Sequence, residues 1–150
     1  MLKEYEINAS TLMIIPYRTD YAKVIERDRT VFVKRKPKQI IDDSCKFFGN
    51  NYQGRCMGTK YLINVTVKAP IIIEETKKVI FFPTRSPRDE NCVWVSANNL
   101  QRFIKRDDKT VLVFGENNMY EINSSYYIID NQVTRCIKLE KALNESKKYI

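Results

Sequence analysis

Apolar positions along the chain change period several times, and each change marks an element. Residues 6–17 (EINASTLMIIPY) read as a strand or a hairpin with Asn8-Ala9-Ser10 as its turn, and residues 30–34 (TVFVK) as a short strand. The period then becomes helical over 37–48. Ile40, Ile41, Cys45 and Phe48 share a face, Pro37 suits a first turn and Gly49 a C-terminal cap. Strands are predicted at 61–67 (YLINVTV) and 71–73 around Pro70, at 79–82 before Pro83, and at 92–96 (CVWVS). Ser96 is expected to cap a short helix through Leu100, Phe103 and Ile104. Residues 110–122 form the clearest hairpin, two alternating runs about Gly115-Glu116-Asn117-Asn118. Ser124 or Ser125 is expected to cap a helix reaching about Lys148, with Ile129, Val133, Cys136, Ile137, Leu139 and Leu143 as its apolar stripe. The sum is α+β: a mostly antiparallel sheet of short strands, a Gly-rich loop after a short helix, and a C-terminal helix.

A chain of 150 residues suits one compact unit. Within it we expect a basic, β-rich body over 1–123 and a C-terminal helix over 124–150 that serves in packing or self-association. No apolar run exceeds about five residues, against the ~18–20 a membrane span needs. The start, MLKEYEINAS, carries two glutamates and no apolar core of a secretory signal, so a cytoplasmic protein with no membrane contact is expected.

Charge and composition narrow the chemistry. Lys and Arg number 26 against 18 Asp and Glu, a net +8. Residues 1–60 hold +5 of this, residues 61–105 hold +3, and residues 106–150 are neutral. Such a balance makes a polyanion the leading partner. The absence of histidine removes Ser-His-Asp and Cys-His catalysis and His-bearing zinc sites. The four cysteines (Cys45, Cys56, Cys92, Cys136) lack the close pairs of a thiolate zinc site and read as free thiols, so no metal or cofactor is expected. Acid–base work by Asp42, Asp43 or Tyr52 is disfavoured, because adjacent carboxylates on a helix do not converge.

Three segments are candidates for polyanion contact. Three of the four glycines (Gly49, Gly54, Gly58) fall in SCKFFGNNYQGRCMGTKY, interleaved with Lys46, Arg55 and Lys60 and with Asn51, Tyr52 and Tyr61. Glycines admit close backbone approach to phosphate, and aromatics beside cations suit nucleic acid. The segment fails as a P-loop: Arg55 and Cys56 stand where Lys and Ser/Thr belong, and no strand precedes Gly49. An ordinary turn with solvated cations is the alternative, and Phe47 and Phe48 read as core before they read as wedges between bases. Arg85 and Arg88 lie on a loop stiffened by Pro83 and Pro87, which suits entry into a narrow groove. Lys34, Arg35 and Lys36 open the run KRKPK, either a phosphate-contacting arm or a solvated junction.

At these residues the chain closely resembles the ComK competence transcription factors of Gram-positive bacteria. The matching pieces are SCKFFGNNYQGRCMGT (44–59), KAPIII (68–73), VIFFPT (79–84), CVWVS (92–96) and NQVTR (131–135), in order and in register. The resemblance implies a cytoplasmic, nucleoid-associated activator. It implies binding to A·T-rich promoter boxes chiefly through the minor groove, as dimers and higher assemblies, with action on RNA polymerase at DNA-uptake genes. It implies neither catalysis nor a cofactor. Longer relatives carry a C-terminal aromatic-Met-Leu-x-Pro motif read by a Clp-protease adaptor. This sequence closes on Lys147-Lys148-Tyr149-Ile150 without it, so the adaptor is not an expected partner. The competing reading from the residues is a non-specific module for single-stranded DNA or RNA.

Overall fold

The computed structural model describes residues 1–147. Its backbone is a six-stranded antiparallel sheet in the order β3-β2-β1-β6-β5-β4. The strands are β1 (Thr11–Tyr17), β2 (Tyr21–Glu26), β3 (Thr30–Val33), β4 (Ile71–Glu74), β5 (Val79–Pro83) and β6 (Trp94–Ser96). Because the sheet is covered on both faces, its central strands read as apolar runs and not as alternations. Ile14, Val24, Ile71, Ile73, Phe81 and Trp94 pack on one side beneath α1 (Pro37–Phe47) and α2 (Tyr52–Ile63). Leu12, Met13, Ile72, Ile80, Phe82 and Val95 pack on the other. That second side is closed by a three-stranded sheet, β7 (Arg102–Arg106), β8 (Lys109–Gly115) and β9 (Asn118–Ile122), together with α3 (Tyr126–Lys147). The class is α+β, as the pattern predicts.

Helix α1 matches its prediction closely. Pro37 opens it, Ile40, Ile41, Ser44 and Cys45 form its buried face, and Gly49 follows it at φ +89°. The 110–122 hairpin pairs as expected, with Leu112 opposite Tyr120. Four predictions need correction. The expected Gly-rich loop is helix α2. Glycine costs a helix ~1 kcal/mol relative to alanine, but capping overrides it here. Asn51 Oδ1 accepts the Gly54 N–H at 2.7 Å, and Asp42 Oδ1 accepts the Tyr52 N–H at 2.8 Å. The strand predicted at 61–67 is instead the last turn of α2 and a following loop, since Asn64 adopts a left-handed φ of 57° and ends the helix. The helix predicted from Ser96 is a single turn. Asn98 and Asn99 spend their side chains on Ile80, Lys78, Ala9 and Thr11, and the chain re-enters as strand β7. Strand β2, which pairs with both β1 and β3, has no counterpart among the predicted elements.

In α3 the buried stripe is Ile129, Gln132, Cys136, Leu139 and Leu143, with Val133 half-buried. Ile137 is 63% exposed and belongs to the outer face, a correction to the predicted stripe. It follows Cys136 by one residue, which turns it about 100° away from the stripe. Gln132 takes the inward place. The predicted helix end at Lys148 lies outside the described residues. No helix among the described residues is long and apolar enough to cross a membrane.

Candidate nucleic-acid interface

Two adjoining clefts open where the N-terminal ends of α1 and α2 meet the loop between β5 and β6. They share Lys38, Pro87 and Arg88. The smaller, about 460 Å³, is lined by Lys38, Lys60, Lys68 and Arg88, with no carboxylate among its lining residues. The larger, about 580 Å³, is lined by Arg18 and Lys36 and also by the carboxylates Asp89 and Glu90.

Each cation of the smaller cleft is placed by a different element. Lys38 sits in the first turn of α1, its Nζ 4.8 Å from the centroid of the Tyr52 ring. Tyr52 in turn meets Trp94 edge-on at 6.2 Å. Burial, then a hydrogen bond with Cys56, pushes the Tyr52 phenol above its ordinary pKa, so it stays neutral beside the cations. Lys60 is exposed on the last turn of α2. Lys68 holds a left-handed φ of 51° in a loop fastened by α3. Gln132 Nε2 donates to the Lys68 carbonyl at 2.9 Å and to the Pro83 carbonyl at 2.7 Å, and Arg135 Nη1 donates to the Val67 carbonyl at 2.9 Å. The NQVTR segment thus holds the cleft's wall from behind. Arg88 is exposed on a loop stiffened by Asp89 N–H to the Ser86 carbonyl (2.9 Å) and Cys92 N–H to the Asp89 carbonyl (3.1 Å).

Of the residues proposed from sequence, Tyr52, Lys60 and Arg88 converge here, and Lys36 lines the adjoining cleft 3.7 Å from Asp20. Others lie apart. Arg55 is a correction of place: it lies on a helix and not in a turn, is 9% exposed, and its Nη1 meets Glu75 Oε1 at 2.7 Å. A guanidinium so seated does not present itself to a groove. Lys46 pairs with Asp42 at 3.0 Å within α1. Asn51 caps α2, and Arg35 lies 3.5 Å from Asp43. Arg85 is turned back to the Asn123 carbonyl at 3.1 Å. Lys34 is exposed after β3, its N–H bonded to the Leu2 carbonyl at 2.8 Å. At the start of α2 the Tyr52 and Gly54 amides are taken by Asp42 and Asn51. Phe47 and Phe48 are also a correction. They are exposed at the far end of α1, stacked edge-on at 5.0 Å, and border a separate apolar groove of about 850 Å³ with Ile7, Ala9 and Val79.

Sequence reasoning does not single out Lys38 or Lys68. Lys38 closes the KRKPK run and is legible as part of it. Lys68 has no local signal, since only the bend at Val67-Lys68 and its fastening to α3 bring it to the cleft. All four cysteines are free, and Cys56 alone is not buried. Among the described residues no cluster of three or more metal-ligating side chains occurs.

The smaller cleft is basic: cations from four segments line it, and no carboxylate does. A family model described as "ComK protein" matches residues 2–148, and the chain belongs to that family. A competence transcription factor of Bacillus subtilis (strain 168) is 35% identical over 138 residues, which cover 89% of this chain and 72% of the relative. No solved structure matches significantly. Homology to a competence transcription factor supports a competence transcriptional regulator, and a transcription-factor family is not an enzyme family.

Proposed function

We propose that this protein activates competence genes by binding A·T-rich duplex DNA, largely through the minor groove, on the cleft of Lys38, Lys60, Lys68 and Arg88. One observation carries the reading: cations from four separate segments line a single cleft that has no carboxylate in its lining. The lysines suit phosphates, which fix register and orientation. Arg88 suits the groove itself. It stands on a tied loop and so loses little freedom on insertion, and a narrow A·T minor groove attracts a guanidinium. It takes the role that the sequence suggests for Arg55. The exposed Tyr127 and Ile137 on α3 offer a face for a dimer or tetramer. RNA polymerase at promoters is the further partner, and the nucleoid in the cytoplasm is the place of action.

The test compares A·T-rich duplex, G·C-rich duplex and single strand at one salt concentration, then varies salt. Three lysines at about 0.9 per neutralised phosphate give a slope of log K against log salt of roughly −3 per protomer. Lys60→Ala and Lys68→Ala should weaken both duplexes alike and flatten the slope by about 0.9 each. Arg88→Ala should cost ~1–3 kcal/mol, more on A·T than on G·C duplex. A wild-type slope near −1, or Lys60 and Lys68 variants that bind unchanged, sinks the reading. One observation favours the single-strand alternative: Tyr61 is 88% exposed beside Lys60, as a stacking platform would be. Tighter binding to single strand than to A·T duplex would move the reading there.

A further inference from the structure

Helix α2 supplies Tyr52, Gln53, Cys56, Met57 and Lys60 to the cleft, yet its buried residues are Arg55 and Thr59. A helix on a sheet is ordinarily held by an apolar stripe. This one has polar anchors one turn apart on its inner face. Arg55 Nη1 donates to Glu75 Oε1 at 2.7 Å, in the turn between β4 and β5. Thr59 Oγ1 donates to the Pro70 carbonyl at 2.7 Å, just before β4. Arg55 Nε makes no hydrogen bond, so Glu75 is the carboxylate that compensates the buried charge. Apolar contact is only partial, with Tyr52 and Cys56 packed on one core and Leu62 and Ile63 on the other.

We propose that the Arg55–Glu75 pair is a latch that seats α2 and thereby sets the spacing of the cleft's cations. Arg55 is then a positioning residue, not a contact to the polyanion. Apolar burial is non-directional and lets a helix slide, whereas a charged hydrogen bond fixes one seat. Removing Glu75's charge leaves the buried Arg55 guanidinium without its carboxylate, and removing Arg55 takes away the helix's charged anchor; either change frees the helix. The inference rests on the reading of the cleft as the duplex surface.

The consequence runs against simple electrostatics. Glu75→Gln removes a negative charge, which by charge alone strengthens binding to a polyanion. The latch requires the opposite. The experiment uses the full chain with Glu75→Gln, Arg55→Met, the double variant, and Glu116→Gln as a charge control on an exposed turn. The first readout is the alkylation rate of Cys56 without nucleic acid, with thermal melting to show that the rest of the fold stands. Cys45, Cys92 and Cys136 are buried, so the fast-reacting thiol reports the seating of α2. The second readout is affinity for the A·T-rich duplex and its salt slope.

Glu75→Gln and Arg55→Met should each speed Cys56 alkylation and weaken duplex binding by about five- to tenfold, the scale of a coupled pair, and the double variant should be no worse than either. The salt slope of Arg55→Met should stay at the wild-type value. Should Arg55→Met not fold, Arg55→Lys, which keeps the charge but not the planar fork, replaces it and should fall between wild type and Glu75→Gln. Glu75→Gln binding as tightly as Glu116→Gln, with Cys56 unchanged, overturns the latch. So does a slope flattened by about 0.9 in Arg55→Met, which would make Arg55 a phosphate contact. The Cys56 rate is measured without duplex, so failure of the latch is distinguishable from failure of the cleft.

Discussion

Helices α1 and α2 are neighbours in sequence and both pack on the core that holds Trp94, with α2 reaching the other core at Leu62 and Ile63, but different forces hold them. Helix α1 sinks Ile40, Ile41 and Cys45, each fully buried, into the core beneath it. Helix α2 sinks an arginine and a threonine. The first attachment is strong and tolerant of small shifts, and the second is weaker and exacting in geometry. The difference matches what each helix presents. The far end of α1 carries Phe47 and Phe48, away from the clefts, whereas α2 carries a wall of the cationic cleft along its length. A surface that must hold cations at phosphate spacing gains from anchors that permit one position.

The largest expected effects separate the helices by what is lost. Ile41→Ala empties a fully buried site beneath α1 and should cost ~2–5 kcal/mol in urea unfolding, while the folded fraction binds duplex as before. Thr59→Val keeps nearly the same volume but leaves the Pro70 carbonyl without its partner, at ~1–3 kcal/mol. Its duplex affinity should fall although the protein remains folded at room temperature. If Ile41→Ala weakens binding of the folded fraction more than Thr59→Val does, the contrast between the two attachments fails.

The same contrast explains what is legible in the sequence. The apolar stripe, Pro37 and Gly49 announce α1, and the alternation about Gly115 announces the β8–β9 hairpin, because non-directional burial leaves a periodic trace. Helix α2 leaves none. Its buried positions are polar, its caps come from Asp42 and Asn51, and Gly54 and Gly58 point to a loop. The candidate site divides the same way. Lys60, Tyr52 and Arg88 come from segments with local signals. Lys68 reaches the cleft through Gln132, 64 positions away, and no local pattern carries that. Arg55 has the composition of a groove-binding residue, and only the turn holding Glu75 shows that it faces inward.

Asp42 joins the two helices and gives the contrast a pH dependence. One of its oxygens accepts the Tyr52 N–H at 2.8 Å, and the other lies 3.0 Å from Lys46 Nζ. The bond from the Tyr52 amide, followed by Lys46, outweighs burial and holds the carboxyl below its ordinary pKa. A carboxyl depressed in the folded state contributes its stability above the unfolded pKa, about 3.9, and loses it as pH falls through the lower folded value. Asp42→Asn keeps an acceptor for the Tyr52 amide and loses only the charge, so it should cost ~0.3–1 kcal/mol at pH 7, and the gap to wild type should close below about pH 4. Cys56 reactivity should rise in this variant while exchange at the α1 amides of Ile41 and Cys45 stays slow. Equal loosening of both helices would show that Asp42 serves the whole unit and not the attachment of α2.

The smallest effect tests whether the Gly-rich segment is a helix at all. At Gly58 an added methyl meets nothing within 4 Å, so Gly58→Ala should gain up to ~1 kcal/mol from helix propensity and from the unfolded chain's lost freedom, read as a higher melting temperature. At Gly54 the same methyl would stand 2.1 Å from Asn50 Oδ1, the atom that accepts the Asn51 N–H at 2.9 Å. Gly54→Ala must displace that carboxamide, and its propensity gain is offset. The pair is informative because the two substitutions are chemically identical and sit one helical turn apart. In a flexible loop neither would raise the melting temperature through helix propensity, and Gly54 would show no clash. A helix capped by Asp42 and Asn51 requires Gly58→Ala to melt above wild type and Gly54→Ala to fall below Gly58→Ala. The reverse order would return the segment to a loop and remove the wall of the cleft that α2 provides.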